Sequence, residues 1–286
     1  MGTEASETLD RRIDELIAAF DGEAAFLARN LSSGEEIGRS PNVVMPTAST
    51  IKILVLAELF RQVEQGTLGL DDPAPILPED RRGGSGILKD LSLSLVPCVR
   101  DHATLMIALS DNTATMVLAR LLGRERIEQS GREWGMTSTV LPLERTLNWK
   151  AEDYAVSTCR DVITLLSAIA EDRIISPAAC AAMRDILLTQ QFLEQIARYL
   201  PFNQYRREGY QHEGPLVVRS KSGFTADSSG AVRVDAGIVE IQDGPRWVIC
   251  LMTSKCPEQG FIAEHPGSIL NGRISRLIYD AWHAAR

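Results

Sequence analysis

The sequence predicts an α+β fold in which both ends of the chain build one antiparallel sheet and an all-helical lobe is inserted between them. Strand-like runs rich in β-formers occur towards the two ends of the chain, at 24–31, 35–39, 215–222, 231–241 and 246–253. Helical periodicity fills the interval, at about 49–65, 102–109, 112–122, 124–134, 159–171, 176–190 and 192–199. We therefore expect a single domain over 1–286, with one lobe from 1–44 plus 200–286 and a helical lobe over 45–199.

Two further helices are expected to flank the sheet. Apolar residues repeat at spacings of three and four between 6 and 20, and again between about 268 and 284. Between the first two strands, Ser32, Ser33 and Gly34 are typical of a hairpin turn. The helix expected over 49–65 follows Pro46 and stops before Gly66, both of which suit helix boundaries.

Two segments are predicted to be irregular. Residues 66–97 are rich in Gly and Pro and indicate loops with short turns. Residues 135–157 show no clear periodicity, so we expect a long loop there. Loops of that length inside a compact domain usually carry function.

Composition narrows the classes of function. The chain has 286 residues with 44% hydrophobic and 24% charged residues, which is ordinary for a globular protein. Its net charge is −8 and it has no run rich in Lys and Arg, so we expect no nucleic-acid partner. No stretch is apolar enough to span a membrane, so no membrane association is expected. A monomer is the expected state.

Neither a metal nor another cofactor is expected. The five cysteines form no C-x-x-C motif and the four histidines are scattered, so no zinc-ligand spacing occurs. Such cysteine usage favours a reducing compartment. The first residues lack the basic, apolar and small-residue regions of a secretory signal. We therefore expect a cytoplasmic protein, or a periplasmic or secreted one whose signal peptide has been removed.

Four short motifs carry the chemistry. In chain order they are S-T-I-K at 49–52, S-D-N at 110–112, E-R-T-L-N at 144–148 and K-S-G at 221–223. Each motif alone is weak, since Ser and Lys are common residues. The patterns S-x-x-K, S-D-N and K-[S/T]-G together are the signature of class A β-lactamases and penicillin-binding proteins.

On these motifs the chain resembles class A serine β-lactamases over nearly its whole length. The E-x-x-L-N motif distinguishes class A from other penicillin-binding relatives, and family members also carry a small turn like that of Gly84, Ser85 and Gly86. The resemblance implies a β-lactamase/transpeptidase-like fold. It also implies a hydrolase that opens a β-lactam amide through an acyl-enzyme, as in antibiotic resistance or β-lactam catabolism.

Ser49 is the candidate nucleophile. It lies at the expected start of a helix, where free N–H groups and the positive end of the helix dipole favour developing negative charge. Lys52 is one turn further on, so its amine can lie near the Ser49 hydroxyl. An ordinary lysine has a pKa too high for a base at neutral pH, but burial and the nearby cation of Lys221 are expected to lower it.

The S-D-N motif is expected to serve both structure and catalysis. Ser110 can pass a proton towards a leaving nitrogen. The Asn112 amide can hold a substrate carbonyl and the Lys52 side chain. Asp111 is expected to hold a neighbouring loop, and an N-cap role for the motif is compatible with all three assignments.

Glu144 is expected to act in deacylation, because a carboxylate that reaches one water can activate that water to hydrolyse the acyl-enzyme. Asn148 can hold the same water. Whether Lys52 or Glu144 is the base for acylation of Ser49 is left open by the sequence.

The K-S-G motif is the expected binding edge for substrate. Lys221 and Ser222 would bind an anionic group, and Gly223 lets substrate lie against the strand. The backbone N–H of Phe224 would join that of Ser49 as an oxyanion donor.

Two further features adjoin that motif. Arg233 is a candidate for a further contact with a substrate carboxylate, although it lies farther along the chain than the family's arginine. Residues 223–230 are expected to form an altered loop at the substrate edge.

Three functions remain open at this point. The first is a β-lactamase acting on a small-molecule β-lactam. The second is an intracellular amidase or esterase of the same family with a non-antibiotic substrate. The third is a penicillin-binding receptor that stays acylated, against which the presence of Glu144 argues.

Overall fold

The computed structural model describes residues 3–141, 155–201 and 216–283. Its strands are β1 (Glu23–Asn30), β2 (Glu36–Arg39), β3 (Met45–Pro46), β4 (Val156–Ser157), β5 (Leu216–Asp227), β6 (Gly230–Ile241) and β7 (Arg246–Cys256). Its helices are α1 (Thr3–Ala18), α2 (Lys52–Glu64), α3 (Val99–Ala108), α4 (Asn112–Leu122), α5 (Arg124–Glu133), α6 (Cys159–Ala170), α7 (Pro177–Leu187) and α8 (Pro266–His283). No helix of these described ranges is long and apolar enough to cross a membrane.

The main sheet is antiparallel and has the strand order β2-β1-β7-β6-β5. Both ends of the chain therefore supply its strands, and the predicted α+β class is confirmed. Strand β5 lies at one edge, where it pairs with β6 along its whole length. The short strands β3 and β4 form a separate pair. The lobe boundaries expected near residues 45 and 199 remain a prediction.

Each face of the sheet covers its own hydrophobic core. Side chains alternate between faces along a strand, so Val234 and Ala236 of β6 face the layer of helices α2–α7. Val239 and Trp247 face α1 and α8 on the other side. Helices thus cover both faces of the sheet and exclude water from it. Polar residues are therefore buried even on the edge strand β5.

Helix α2 is the centre of the helical layer. Every residue from Lys52 to Phe60 is buried, including Glu58. The Glu58 carboxylate accepts hydrogen bonds from Arg61 Nε (2.6 Å) and Gln62 Nε2 (2.7 Å), and from the Ser130 hydroxyl of α5. A buried carboxylate with this set of partners stays ionised and ties α2 to α5, which fixes the helix that carries the candidate site.

The helix predicted over 192–199 is wrong, because this segment consists of turns and bends. Two of its backbone N–H groups bond to side chains, and Arg198 N bonds to Gln195 O three residues back, so no i−4 ladder forms. Gln190 Oε1 accepts from Phe192 N (2.9 Å), and Asp235 Oδ2 accepts from Ile196 N (3.0 Å). At these two positions a local and a distant side-chain acceptor have replaced the i−4 carbonyls that a helix needs.

The substrate-edge loop predicted over 223–230 is also wrong. Strand β5 continues to Asp227, which pairs with Gly230 of β6. The Asp227 carboxylate accepts from Ser229 N (2.7 Å), and Gly230 takes a positive φ of 119°. A tight turn therefore joins two long strands, so residues that follow the K-S-G motif are held in the sheet.

Candidate active site

Ser49 lies in a 3₁₀ turn, Ala48–Ile51, that leads directly into α2. The helix predicted from residue 49 therefore becomes α-helical at Lys52. Ala48 has a φ of +43°, a conformation that non-glycine residues adopt rarely and that is often found at functional sites. The turn is tied to the sheet because Thr50 Oγ1 donates to Lys221 O of β5 (3.2 Å).

The Lys52 amine is buried and faces the S-D-N motif. Its Nζ lies 2.8 Å from Ser110 O, 3.0 Å from Ser110 Oγ and 2.9 Å from Asn112 Oδ1. Burial holds the pKa of Lys52 well below its ordinary value, the Lys221 charge adds to that effect, and Asp111 opposes it. The direction and both causes of lowering match the sequence expectation. When the amine is neutral, the Ser110 hydroxyl can donate to its lone pair.

Asp111 caps α4 and anchors the loop before α3. Its Oδ1 accepts from Ala114 N (2.9 Å), while Oδ2 accepts from Ile87 N (2.7 Å) and Leu88 N (2.9 Å). Both carboxylate oxygens are therefore occupied by backbone N–H groups. The expectation that Asp111 holds a neighbouring loop agrees with these contacts, and so does the N-cap interpretation.

The small turn at 84–86 packs directly on the S-D-N motif. Asn112 N donates to Ser85 O (3.1 Å) and Asn112 Nδ2 to Gly83 O (2.9 Å). A Cβ added to Gly86 would lie 2.2 Å from Asp111 Cγ, and Gly86 has a φ of +99°. Because the amide of Asn112 is held on this side, its Oδ1 is turned towards Lys52.

The K-S-G motif lies within edge strand β5. Lys221 is fully buried, and its Nζ donates to Ser222 O (2.5 Å). Burial lowers the pKa of Lys221 to about 7, although the carboxylates of Asp235 and Glu194 act in the opposite direction. Ser222 Oγ is buried without a hydrogen-bond partner among the described residues. A buried hydroxyl of this kind is suited to contact a ligand.

Gly223 brings this strand into contact with the nucleophile turn. A Cβ at this position would lie 2.7 Å from Ser49 N and 2.9 Å from Thr47 O. The approach requires a residue without a side chain. Three of the four motifs thus meet at one place, since Lys52 joins Ser110 and Asn112 while Gly223 abuts Ser49. The oxyanion role of the N–H of Phe224, the next residue, remains a prediction.

Arg233 lies on β6 opposite Phe224 and is buried. Its guanidinium donates to Val232 O (2.9 Å) and Gly260 O (2.7 Å), and lies 5.2 Å from the ring centroid of Phe261. Burial lowers the pKa of Arg233. These donors serve backbone carbonyls, and the substrate contact expected for Arg233 remains a prediction.

Glu144 and Asn148 lie outside the described residues. The two flanks of their segment are nevertheless placed: Val140 forms an antiparallel bridge with Val156, and Thr47 N donates to Ala155 O (2.9 Å). Thr47 is two residues from Ser49, so the chain at Ala155, seven residues after Asn148, lies beside the candidate nucleophile.

Asp235 was missed by the sequence analysis. It faces Ser222 across the β5–β6 pair, and burial raises its pKa to about 7 while the hydrogen bond from Ile196 N acts in the opposite direction. Its immediate neighbours Val234 and Ala236 are apolar, and an acid between apolar residues of a predicted strand was the signal that could have marked it. No group of His, Cys, Asp and Glu side chains suited to a metal occurs in the described ranges.

Comparison with known proteins agrees with this arrangement. The family model described as "Beta-lactamase enzyme family" matches residues 8–282. The structure of PBP-A is 25% identical with a TM-score of 0.80, over 97% of this chain and 96% of that chain. A PBP-A variant solved as an acyl-enzyme complex with penicillin G is also 25% identical, with a TM-score of 0.81 over 97% of each chain.

Two other relatives are informative in different ways. A β-lactamase from Sphaerobacter thermophilus has a TM-score of 0.83 at 24% identity, over 97% of this chain and 98% of that chain, and shares the fold. The "Beta-lactamase regulatory protein BlaB" of Streptomyces cacaoi is 28% identical over 132 residues, which are 46% of this chain and 42% of that protein. The match therefore spans less than half of that curated relative.

Proposed function

Because the chain belongs to the β-lactamase enzyme family, we propose that it is a serine hydrolase that opens a β-lactam amide through an acyl-enzyme on Ser49. One observation carries the proposal. The buried Lys52 amine is held on Ser110 and Asn112 at the start of the helix that follows Ser49, while Gly223 packs on the Ser49 N–H. These contacts support the assignment of Ser49 as nucleophile, Lys52 as base and Ser110 as proton donor.

In the acylation step, the Ser49 oxygen attacks the lactam carbonyl carbon and its proton passes to a base. A Lys52 amine with a lowered pKa is suited to take that proton, either directly or with Glu144 acting through water. Collapse of the tetrahedral intermediate breaks the C–N bond, and Ser110 relays the proton from Lys52 to the leaving nitrogen. The N–H groups of Ser49 and Phe224 stabilise the oxyanion.

In the deacylation step, Glu144 takes a proton from a water that attacks the ester carbonyl, and the Ser49 oxygen leaves and recovers a proton. Asn148 positions the same water. The contact of Thr47 with Ala155 supports this assignment, because it holds the chain seven residues after Asn148 beside the nucleophile turn.

Substrate binding is assigned to the K-S-G edge. The buried Lys221 cation and the Ser222 hydroxyl, which has no hydrogen-bond partner in the described part of the chain, would hold an anionic group. Arg233 would add charge from the neighbouring strand. Gly223 packs against the nucleophile turn, which sets this edge of β5 beside Ser49.

One observation favours the amidase or esterase alternative. Phe224, which follows the K-S-G motif, is a bulky aromatic residue in contact with two other rings. A substrate other than an antibiotic would explain such a surface. The receptor alternative draws on the similarity to a regulatory protein and to PBP-A.

An intact-mass time course with benzylpenicillin tests the proposal. In the wild type, we expect an adduct that forms and returns quickly to free protein, whereas Glu144→Ala should trap the adduct. Glu125→Ala, an exposed acid of α5, is the matched control and should behave like the wild type. A long-lived adduct in the wild type that Glu144→Ala leaves unchanged would indicate a receptor. No adduct, together with rapid ester turnover, would indicate the amidase or esterase.

A further inference from the structure

Three phenylalanine side chains form an aromatic cluster at the edge of the candidate site. The Phe224 ring lies 5.4 Å from that of Phe192 and 5.2 Å from that of Phe261, both in edge-to-face geometry. Phe261 is 70% exposed and the following Ile262 is 50% exposed. Single exposed apolar residues need no explanation, but connected rings with an open face are typical of binding surfaces.

The cluster adjoins the nucleophile through the backbone. Phe224 directly follows Gly223, whose added Cβ would lie 2.7 Å from Ser49 N. Side chains of successive strand residues point to opposite faces. The Phe224 ring is therefore on the face opposite to the Ser49 contact, at the edge strand along which substrate would lie. A substrate that extended along this edge strand would therefore reach the rings.

Contacts from β6 and from the loop after β7 hold the rings in place. Arg233 is the cross-strand partner of Phe224, and its guanidinium lies 5.2 Å from the Phe261 centroid while it donates to Gly260 O (2.7 Å). Gln259 Nε2 donates to Asp227 O at the end of β5 (2.9 Å). The segment that carries Phe261 is thus fastened to both strands, and the cluster is preformed.

We propose that Phe192, Phe224 and Phe261 form a subsite that binds an apolar, ring-bearing part of the substrate beside the reacting carbonyl. This inference rests on the proposed acyl-enzyme chemistry of Ser49 and adds the substrate class. The occupant is an aromatic ring because the open side of the cluster offers ring edges and faces. The guanidinium of Arg233 donates to two backbone carbonyls, so it adds positive charge near the K-S-G edge, while the open side of the rings offers an apolar surface.

A matched set of four thioesters tests the proposal, with a phenyl ring in the acyl half, in the thiol half, in both halves or in neither. Thiol release gives kcat/KM for each. We expect the wild type to prefer a ring-bearing thioester over the ring-free one by about 10-fold or more, as half-burial of a ring predicts. The half of the substrate in which the ring raises kcat/KM identifies which side of the scissile bond faces the cluster.

Two variants locate the preference. Phe261→Ala and Phe192→Ala should each lose most of the preference while turning over the ring-free thioester at the wild-type rate. Ile262→Ala is the matched control, since it removes an exposed apolar side chain from the same segment, and it should keep the preference. Equal kcat/KM for all four thioesters in the wild type, or equal losses in Ile262→Ala and Phe261→Ala, would overturn the subsite.

Failure of the underlying chemistry has a separate signature. Methylboronic acid is a small probe that forms an adduct on a nucleophilic serine, and phenylboronic acid adds a ring to it. If neither gives an adduct on Ser49 in the wild type and no thioester releases its thiol, the acyl-enzyme proposal fails and the subsite fails with it. If both bind Ser49 with equal affinity, the acyl-enzyme proposal survives and the subsite alone is wrong.

Discussion

Lys52 Nζ lies 3.0 Å from Ser110 Oγ, and this contact joins two motifs that are 58 residues apart in the chain. Both groups are buried, and the amine is also held by Ser110 O and Asn112 Oδ1. A proton on either atom can therefore pass to the other without crossing solvent. This pair links the start of α2, which carries the candidate nucleophile, to the residue assigned to protonate the leaving group.

Replacing Lys52 tests its role as a base. Lys52→Arg keeps a positive charge, but guanidinium does not lose its proton in proteins. We expect acylation of Ser49 by benzylpenicillin to slow by roughly 10²–10⁴-fold, as measured by rapid-quench mass spectrometry. Lys255→Arg, an exposed lysine on β7, is the control and should acylate normally. Wild-type acylation in Lys52→Arg would assign the base to another group.

The charge of Lys221 predicts a pH dependence of substrate binding. Its pKa is about 7, so the cation is present below that pH and is lost as the pH rises through it. We expect the KM for an anionic penicillin to rise above pH 7, while the KM for a neutral thioester stays constant. A flat KM for the anionic substrate between pH 6 and 9 would remove Lys221 from anion binding.

Asp235 predicts a pH-dependent stability. Its pKa in the folded protein is about 7 against an ordinary value of 3.8, so its protonated form is favoured by folding. The stabilisation that the protonated Asp235 gives to the folded state is complete below pH 3.8 and is lost as the pH rises through about 7. Asp235→Asn cannot ionise. We therefore expect the free energy of unfolding of Asp235→Asn, relative to that of the wild type, to rise by roughly 1–3 kcal/mol between pH 5 and pH 8.

Denaturant unfolding at the two pH values measures this difference. Lys221 and Glu194 are the charged groups that act on Asp235, so both remain in place in the comparison. Asp21→Asn, at an exposed position before β1, is the control and should show no such gain. A constant difference between Asp235→Asn and the wild type across this range would contradict the account.

The contact of Gly223 with Ser49 predicts a steric effect. In Gly223→Ala the new methyl group would meet Ser49 N and Thr47 O at under 3.0 Å, so either the strand or the nucleophile turn must shift. Displacement of oxyanion donors costs on the order of 10²–10³ in rate. Gly83→Ala, where an added Cβ meets nothing within 4 Å, is the matched control. Equal kcat/KM in both variants would show that the close approach is dispensable.

Asp111 predicts a loss of stability. Asp111→Ala removes the N-cap of α4 and leaves the N–H groups of Ile87 and Leu88 without their acceptor. We expect a loss of roughly 2–4 kcal/mol in the free energy of unfolding. Asp71→Ala, which breaks an exposed ion pair with Arg100, should change it by less than about 1 kcal/mol. Similar losses in the two variants would rule out the anchoring role.

Much of the fold followed from local pattern. Most strands and helices lie where the spacing of apolar residues predicted them. The motifs identified Ser49, Lys52 and Ser110 as candidate site residues. The failures came from long-range contacts. The 192–199 segment has helical spacing, but Asp235 on a distant strand takes the N–H of Ile196. The strand after Gly223 has polar, turn-like composition, yet pairing with β6 extends it to Asp227.

The sequence did not predict the aromatic cluster either. Phe192, Phe224 and Phe261 are 32 and 37 residues apart along the chain, and no local pattern relates them. Their contact depends on how a turn segment, an edge strand and the loop after β7 meet. The structure supplies the neighbours of the Phe224 ring, which the sequence could not.

The location of the acyl group tests the central claim most directly. Wild type and Ser49→Ala would be quenched in acid seconds after addition of a fluorescent penicillin, digested and mapped by mass spectrometry. The account predicts one labelled peptide in the wild type, with the adduct on Ser49, and no label in Ser49→Ala. A label on another residue, or equal labelling of Ser49→Ala, would contradict it.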